Sequence, residues 1–491
     1  MSQANRSKPE SRPGLLASAA ALVSLLAGCV AGPNYVRPTL PMPADWKTEA
    51  PFRASAPDDA AAKGPWWQRF GDTQLNDLQT QALATNPTLA ISVARLTQAR
   101  ATLQAVSAAR YPQLSLAARA QRLDISANRP LTNYASANFS TVQNEFAVGL
   151  TVGYEVDVAG RVSRSVENAR AAAEQSAADL ENTRLLMGAD LATAYFNLRE
   201  LDTEIDVLNR SIALQQHAYD LISSRHDLGA ATGLDVAQQQ ALLDTTRVQI
   251  DVLARQRGQY EHAIATLVGA AAPTFAVAPL VREYEPPVVP IGVPSDVLER
   301  RPDVASAERA MAAANAQIGV AKAAFYPSVL LGPQVGLDSR NLSNLFDMPS
   351  LLWSIGVSAS QVLFDGGRID ANVDFASAGY DAMVANYRRV VLGAMQEVED
   401  GITGGAALER AHVQARAAVA SAHRVLDMAT ARYEGGATTY LDVITAQQAL
   451  LVSERQSAQL LGQRLLTSVF LVKALGGDYQ PARLATARPA P

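Results

Sequence analysis

The sequence predicts a mainly α-helical, internally duplicated chain with four β-strands of membrane type. Three observations predict it. First, the landmarks repeat: GLTVGYEVDVAGR (Gly149 to Arg161) lies 207 residues before GVSASQVLFDGGR (Gly356 to Arg368), and RHDLGAATGLDV (Arg225 to Val236) lies 207 before RYEGGATTYLDV (Arg432 to Val443). Spacing that is preserved along with residue type marks two copies of about 200 residues each. Second, the segments between these landmarks carry no proline, and their apolar residues recur every three or four positions, as on a helix face. Third, four short stretches alternate with the period of a strand.

In order, residues 1–28 read as a secretion signal: Arg6, Lys8 and Arg12 precede the apolar run Leu15 to Gly28. Leu26-Ala27-Gly28-Cys29 then forms a bacterial lipobox, which makes Cys29 the lipid-bearing N-terminus of the mature chain. Cys29 is the one cysteine, so no internal disulfide can form. The alternative is an accidental cysteine in an ordinary signal. Residues 29–65 are proline-rich and predict an extended, lipidated arm. The first repeat is assigned to 66–280, the second to 281–480, and 481–491 is a flexible tail.

WWQRFGDTQLNDLQTQALATNP opens a helix expected to continue to about Arg110, with Trp66 and Trp67 packing rather than binding a ligand. Strands are expected at 112–125 and 145–158 in the first copy, and at 327–337 and 352–363 in the second. In the second of them Phe146, Val148, Leu150, Val152, Tyr154 and Val156 alternate with Ala147, Gly149, Thr151, Gly153, Glu155 and Asp157. Such strands suit a soluble sandwich or a membrane barrel, and periodicity alone does not choose. Export and lipidation, with no other sheet to pack against, favour the barrel. Four strands cannot close one, since about eight are needed, and an open edge in lipid leaves backbone groups unsatisfied. The barrel must therefore be shared between chains.

Arg161 to Leu228 runs without proline, long enough for a helix on the order of 100 Å. Leu191, Tyr195, Leu198, Leu201, Ile205, Leu208 and Ile212 give it a seam near the coiled-coil period. In the second copy Gly401, Gly404 and Gly405 predict a local bend or a close helix approach.

The totals exclude other classes. A formal charge of -5 gives no basis for binding nucleic acid. His217, His226, His262, His412 and His423 lack metal-ligand spacing and read as surface or packing residues, and no phosphate loop or nucleophile turn is present. The chain is expected not to be an enzyme, with no catalytic residue, no metal and no cofactor beyond the lipid on Cys29.

The lipobox, WWQRFGD, VPSDVLERRPDVASAE (Val293 to Glu308), AKAAFYPS, VLFDGGR and YEGGATTYLDV together resemble the TolC-like outer-membrane factors, in the NodT-type lipoprotein branch. The resemblance covers essentially the whole mature chain. It implies a homotrimer giving four strands per chain to a 12-stranded β-barrel, continued by a long periplasmic α-helical barrel. It implies an exit duct for small molecules such as drugs, held in outer-membrane lipid. The duct docks on a periplasmic adaptor and an inner-membrane pump of the resistance-nodulation-division type. It further implies a periplasmic gate with Asp442 on an aspartate ring, Leu441 and Tyr433 beside it, and Asp235 as the first-copy counterpart; the alternative is a solvated helix face. A threefold carboxylate ring would favour cations. Gly229 and Gly436 match the turns that meet the adaptor. Thr438 stands where one family pattern has an arginine and Thr445 where it has a second aspartate, so the family's locking link is not matched. Two other functions stay open: an export duct for a secreted protein, and a periplasmic coiled-coil lipoprotein without a pore.

Overall fold

A computed structural model describes residues 30–38, 43, 46–47, 65–124, 126, 142–287 and 300–477. Cys29, most of the 29–65 arm, residues 293–299 of the 293–308 motif and the 481–491 tail lie outside them. The described helices are α1 (Thr73–Thr85), α2 (Pro87–Ser107), α3 (Arg161–Asp227), α4 (Gly233–Leu267), α5 (Pro302–Ala323), α6 (Arg368–Glu434) and α7 (Tyr440–Ala474). The strands are β1 (Gln113–Asp124), β2 (Val142–Val156), β3 (Ser328–Leu331), β4 (Gln334–Ser339), β5 (Leu351–Ser354) and β6 (Val357–Ser360).

The duplication is visible in the helices. Both α3 and α6 have 67 residues, and both α4 and α7 have 35. Matching local chemistry sets their ends. Asp157 accepts from the Val162 and Ser163 N–H groups at the start of α3, and Asp365 accepts from Gly367 and Ile369 at the start of α6. Each carboxylate satisfies amides that the first turn cannot. The expected single helix from Trp66 to Arg110 is instead a 3-10 turn, α1, α2 and a second 3-10 turn. Pro87 has no N–H to continue α1, and the Asn86 side chain accepts from Leu89 N–H at 3.0 Å to start a new helix.

Compactness divides the chain into two units, each assembled from both halves of the sequence. The first takes residues 1–38, 97–174 and 308–385 and holds the sheet. Here β2 is flanked by β1 on one edge and by β4 and β3 on the other, while β5 pairs with β4 and β6 with β3, all antiparallel. The strands expected at 327–337 and 352–363 are each interrupted, the first at Gly332-Pro333 and the second at Ile355-Gly356. Register does not slip, because Gly332 N–H still donates to Gly356 O at 3.1 Å and Val152 N–H to Pro333 O at 2.9 Å. Proline has no amide for the ladder, so regular pairing lapses there and resumes.

Register decides which side chains share a face. Leu116, Leu150, Val335 and Trp353 form one row across the four strand positions, and Ser115, Thr151, Gln334 and Ser354 form the next row on the opposite face. Small residues continue the polar face, and Gly336 packs so closely that a Cβ would lie 2.7 Å from the Val148 carbonyl oxygen. In the same unit Arg164, buried, donates to Ala31 O, Gly32 O and Asn34 Oδ1, which holds the arm just after Cys29.

The second unit takes residues 39–96, 175–307 and 386–491 and contains the main apolar core. Trp66 is buried there with Phe70, Tyr195, Phe196, Ile264, Val398 and Val469, so it packs as expected. The α3 seam is buried at Leu191, Tyr195, Leu198, Leu201 and Leu208. A polar network ties the segment after α4 to this core. Arg199 pairs with Asp202 at 2.6 Å with both side chains 1% exposed, and Arg257 pairs with the same carboxylate at 2.7 Å. Arg301, in the RRPD part of the family-like motif, donates to Ala474 O at 2.8 Å and so caps α7 with a cation. Gly401 gives the close approach, since a Cβ there would meet Leu471 of α7 at 2.9 Å, and α6 continues through the glycine cluster.

Candidate functional site

Within the second unit, the loops α3–α4 and α6–α7 form two neighbouring tips. Each helix ends on a left-handed glycine, Gly229 with φ 77° and Gly436 with φ 70°. The following amides reach back in the same way: Ala230 N–H donates to Arg225 O and Ala437 N–H to Arg432 O, at 2.7 and 2.8 Å. A left-handed residue at this point favours glycine, because a Cβ would crowd the backbone.

The next helices begin differently. Thr232 and Asp235 form a reciprocal capping box at the start of α4: Asp235 N–H donates to the Thr232 hydroxyl oxygen at 3.2 Å, and Thr232 N–H to the Asp235 carboxylate at 3.0 Å. Asp235 is thereby committed to starting its helix. Asp442, in the first turn of α7, accepts a hydrogen bond from the Thr438 hydroxyl, while Thr445 turns back to donate to Leu441 O at 2.9 Å. Asp442 and Leu441 are exposed, and a carboxylate at a helix start is favoured by the macrodipole.

Residues outside the expected site join the tips. Tyr440 is buried and donates to Gln239 Oε1 at 2.9 Å, and Gln239 Nε2 donates to Gln215 O at 2.8 Å. Tyr433 packs at a tilt against Tyr440 with ring centres 5.0 Å apart, and Arg225 lies over the other tip's Tyr433 ring at 5.4 Å. Burial first, then Tyr433 and Asp235, push the Tyr440 phenol upward, which keeps it a donor. Ile222, Leu242, Leu426, Val443 and Ile444 form an apolar cluster with Tyr440. The available signal was a difference between copies: Tyr440 falls where the first copy has Gly233.

Among the described residues, no histidine takes part in the link between the tips. His423 lies 3.4 Å from Glu454, His226 Nδ1 lies 3.0 Å from Ala231 O, and burial with Arg464 and Arg416 nearby holds the His412 imidazole below its ordinary range. No group of metal-ligating side chains occurs among the described residues.

For the first unit, no helix among the described residues is long and apolar enough to cross a membrane. The sheet's apolar row is uncovered in the single chain, with Trp353 68% and Leu116 71% exposed. A sheet with one apolar and one small, polar face has the pattern of a barrel wall.

The profile of the family described as outer membrane efflux protein matches residues 78–270 and 293–477. The chain belongs to this family. Outer membrane protein OprJ of Pseudomonas aeruginosa is 30% identical over 475 residues, which cover 96% of this chain and 98% of the relative. The solved outer-membrane channel OprN superposes with a TM-score of 0.85 at 28% identity, covering 91% of this chain and 99% of that one. The open state of the Neisseria gonorrhoeae MtrE outer membrane channel superposes with a TM-score of 0.81 at 26% identity, covering 92% and 98%. This outer membrane efflux protein is therefore an exit duct of the outer membrane, with a periplasmic helical extension, and its fold is mainly α with a membrane β-sheet. It works as a homotrimer with a periplasmic adaptor and an inner-membrane pump.

Proposed function

We propose that the paired tips are the periplasmic gate of this duct, with Asp442 contributing the carboxylate ring, Leu441 and Tyr433 lining it beside Asp442, and Asp235 acting chiefly as the cap of α4. The single observation that carries this reading is the link across the tips, Tyr440 to Gln239 and Arg225 to Tyr433. It joins the first copy to the second where the family's arginine is replaced by Thr438. Opening the tips breaks one buried hydrogen bond and one cation–π contact, interactions worth about 0.5–2 kcal/mol each. The closed state is thus held by modest forces that a docking partner can overcome.

The turns at Gly229 and Gly436 are the adaptor contacts in this reading, because they are exposed and end each hairpin. Cys29 carries lipid and adds an anchor to the membrane wall, the resident pump is of the resistance-nodulation-division type, and the duct itself performs no chemistry. The cargo is small molecules such as drugs, moved passively. Single-channel recording in planar bilayers tests the gate. Asp442→Ala is expected to lower cation preference and raise opening frequency, and wild-type values for both would remove Asp442 from the gate.

A further inference from the structure

The two halves of the chain meet along a seam between α3 and α7, where one carboxylate is left out of the surrounding ion pairs. Glu204 of α3 accepts from Arg455 Nε and Nη2 at 2.9 and 2.8 Å and from Gln459 Nε2 at 3.0 Å, all from α7. Arg455 uses its remaining arm on Gln249 of α4. One turn earlier on α3, Glu200 makes no hydrogen bond or ion pair among the described residues. It lines a hollow with Asn197, Glu204, Gln256, Gln259, Tyr260 and Gln459. Its carboxylate lies directly on Gly462 of α7, where a methyl group would clash with Oε2. The titratable groups that line the hollow with it are Glu204 from its own helix and Tyr260 from α4, and Arg455 of α7 is engaged by Glu204 and Gln249.

We propose that Glu200 is a proton-dependent spacer that sets the width of the α3–α7 seam, and with it the bore of the helical duct. Burial away from water, then the Glu204 charge, push the Glu200 acid up to about 7. Below that pH the group is neutral and tolerates the close contact with Gly462, and the helices stay close. Above it the anion repels Glu204, and the helices part. Gly462 completes the device, because only a residue without a side chain leaves room for the acid to close on it. The sign follows from linkage: a carboxyl raised on folding stabilises the fold below its unfolded pKa and loses that contribution as pH rises through its folded value.

The inference rests on the duct reading, and two readouts separate them. Wild-type trimer, Glu200→Gln and Gly462→Ala are followed from about pH 5 to 9, on both sides of the shifted acid, by conductance in planar bilayers and by thermal unfolding in detergent. In the wild type, conductance is expected to rise as pH passes about 7, and the unfolding midpoint to fall between about pH 5 and 7 and to level off above that. Glu200→Gln, similar in shape and always neutral, fixes both at their acid-pH values, and Gly462→Ala gives the high-pH values throughout. A full wild-type pH response in Glu200→Gln, or an unfolding midpoint in the wild type that does not fall between about pH 5 and 7, overturns the proposal. A wild type that conducts no ions refutes the duct instead, and the unfolding profiles still decide the role of Glu200.

Discussion

The Tyr440 hydroxyl donates to Gln239 Oε1 at 2.9 Å, joining residues 201 positions apart and belonging to different copies of the repeat. Both side chains are buried, so neither group has water as an easy substitute. Tyr440→Phe removes the donor and keeps the ring on Tyr433. The variant is expected to lose about 1–3 kcal/mol, because Gln239 is left with an unpaired acceptor. Channel recordings should show a higher opening frequency than wild type, and denaturant melts should show the lower stability.

Asp202 stands between two arginines, Arg199 and Arg257, and also accepts from Leu280 N–H at 3.1 Å. Asp202→Ala leaves buried guanidinium charge without its partner, at a cost of about 3–5 kcal/mol. A lower unfolding midpoint is expected, together with faster proteolysis of the segment after α4. An unchanged midpoint would show that water reaches the two arginines.

Val335 and Gln334 are neighbours on β4 that point to opposite faces. Val335→Lys places a charge on the apolar face, at about 2–4 kcal/mol near the middle of a bilayer. Gln334→Lys places the same charge on the polar face. The first is expected to deplete trimer from outer-membrane fractions and the second to leave it intact, as immunoblots of fractionated cells will show.

Asp72 caps α1 and accepts from Tyr195 and Tyr284 at 2.7 and 2.6 Å. Burial works to raise its carboxyl, but hydrogen bonds from Tyr284, Leu75 N–H and Tyr195, with the Arg199 charge, hold it below the ordinary range. Its contribution is therefore complete above about pH 4 and is lost as pH falls through its lowered value. Asp72→Asn is expected to flatten the acid limb of the unfolding profile, measured by thermal melts from about pH 2 to 5.

The architecture was legible in the sequence because its signals are local and were written twice. Periodicity without proline gave α3 and α6, whose equal lengths and starts 207 residues apart reproduce the spacing of the landmarks. Alternation gave the strand faces, since a period of two fixes which side chains share a side wherever the strand lies. The break at Asn86-Pro87 was equally local, yet the apolar pattern continues across it and hid it. What spacing could not supply was partnership. Nothing along the chain says that Tyr440 reaches Gln239, that Arg225 covers Tyr433, or that Glu200 settles on Gly462, because these contacts join segments hundreds of residues apart. Such pairings are fixed by how the helices pack, so only the tertiary structure decided them, while the helices themselves were determined by the sequence alone.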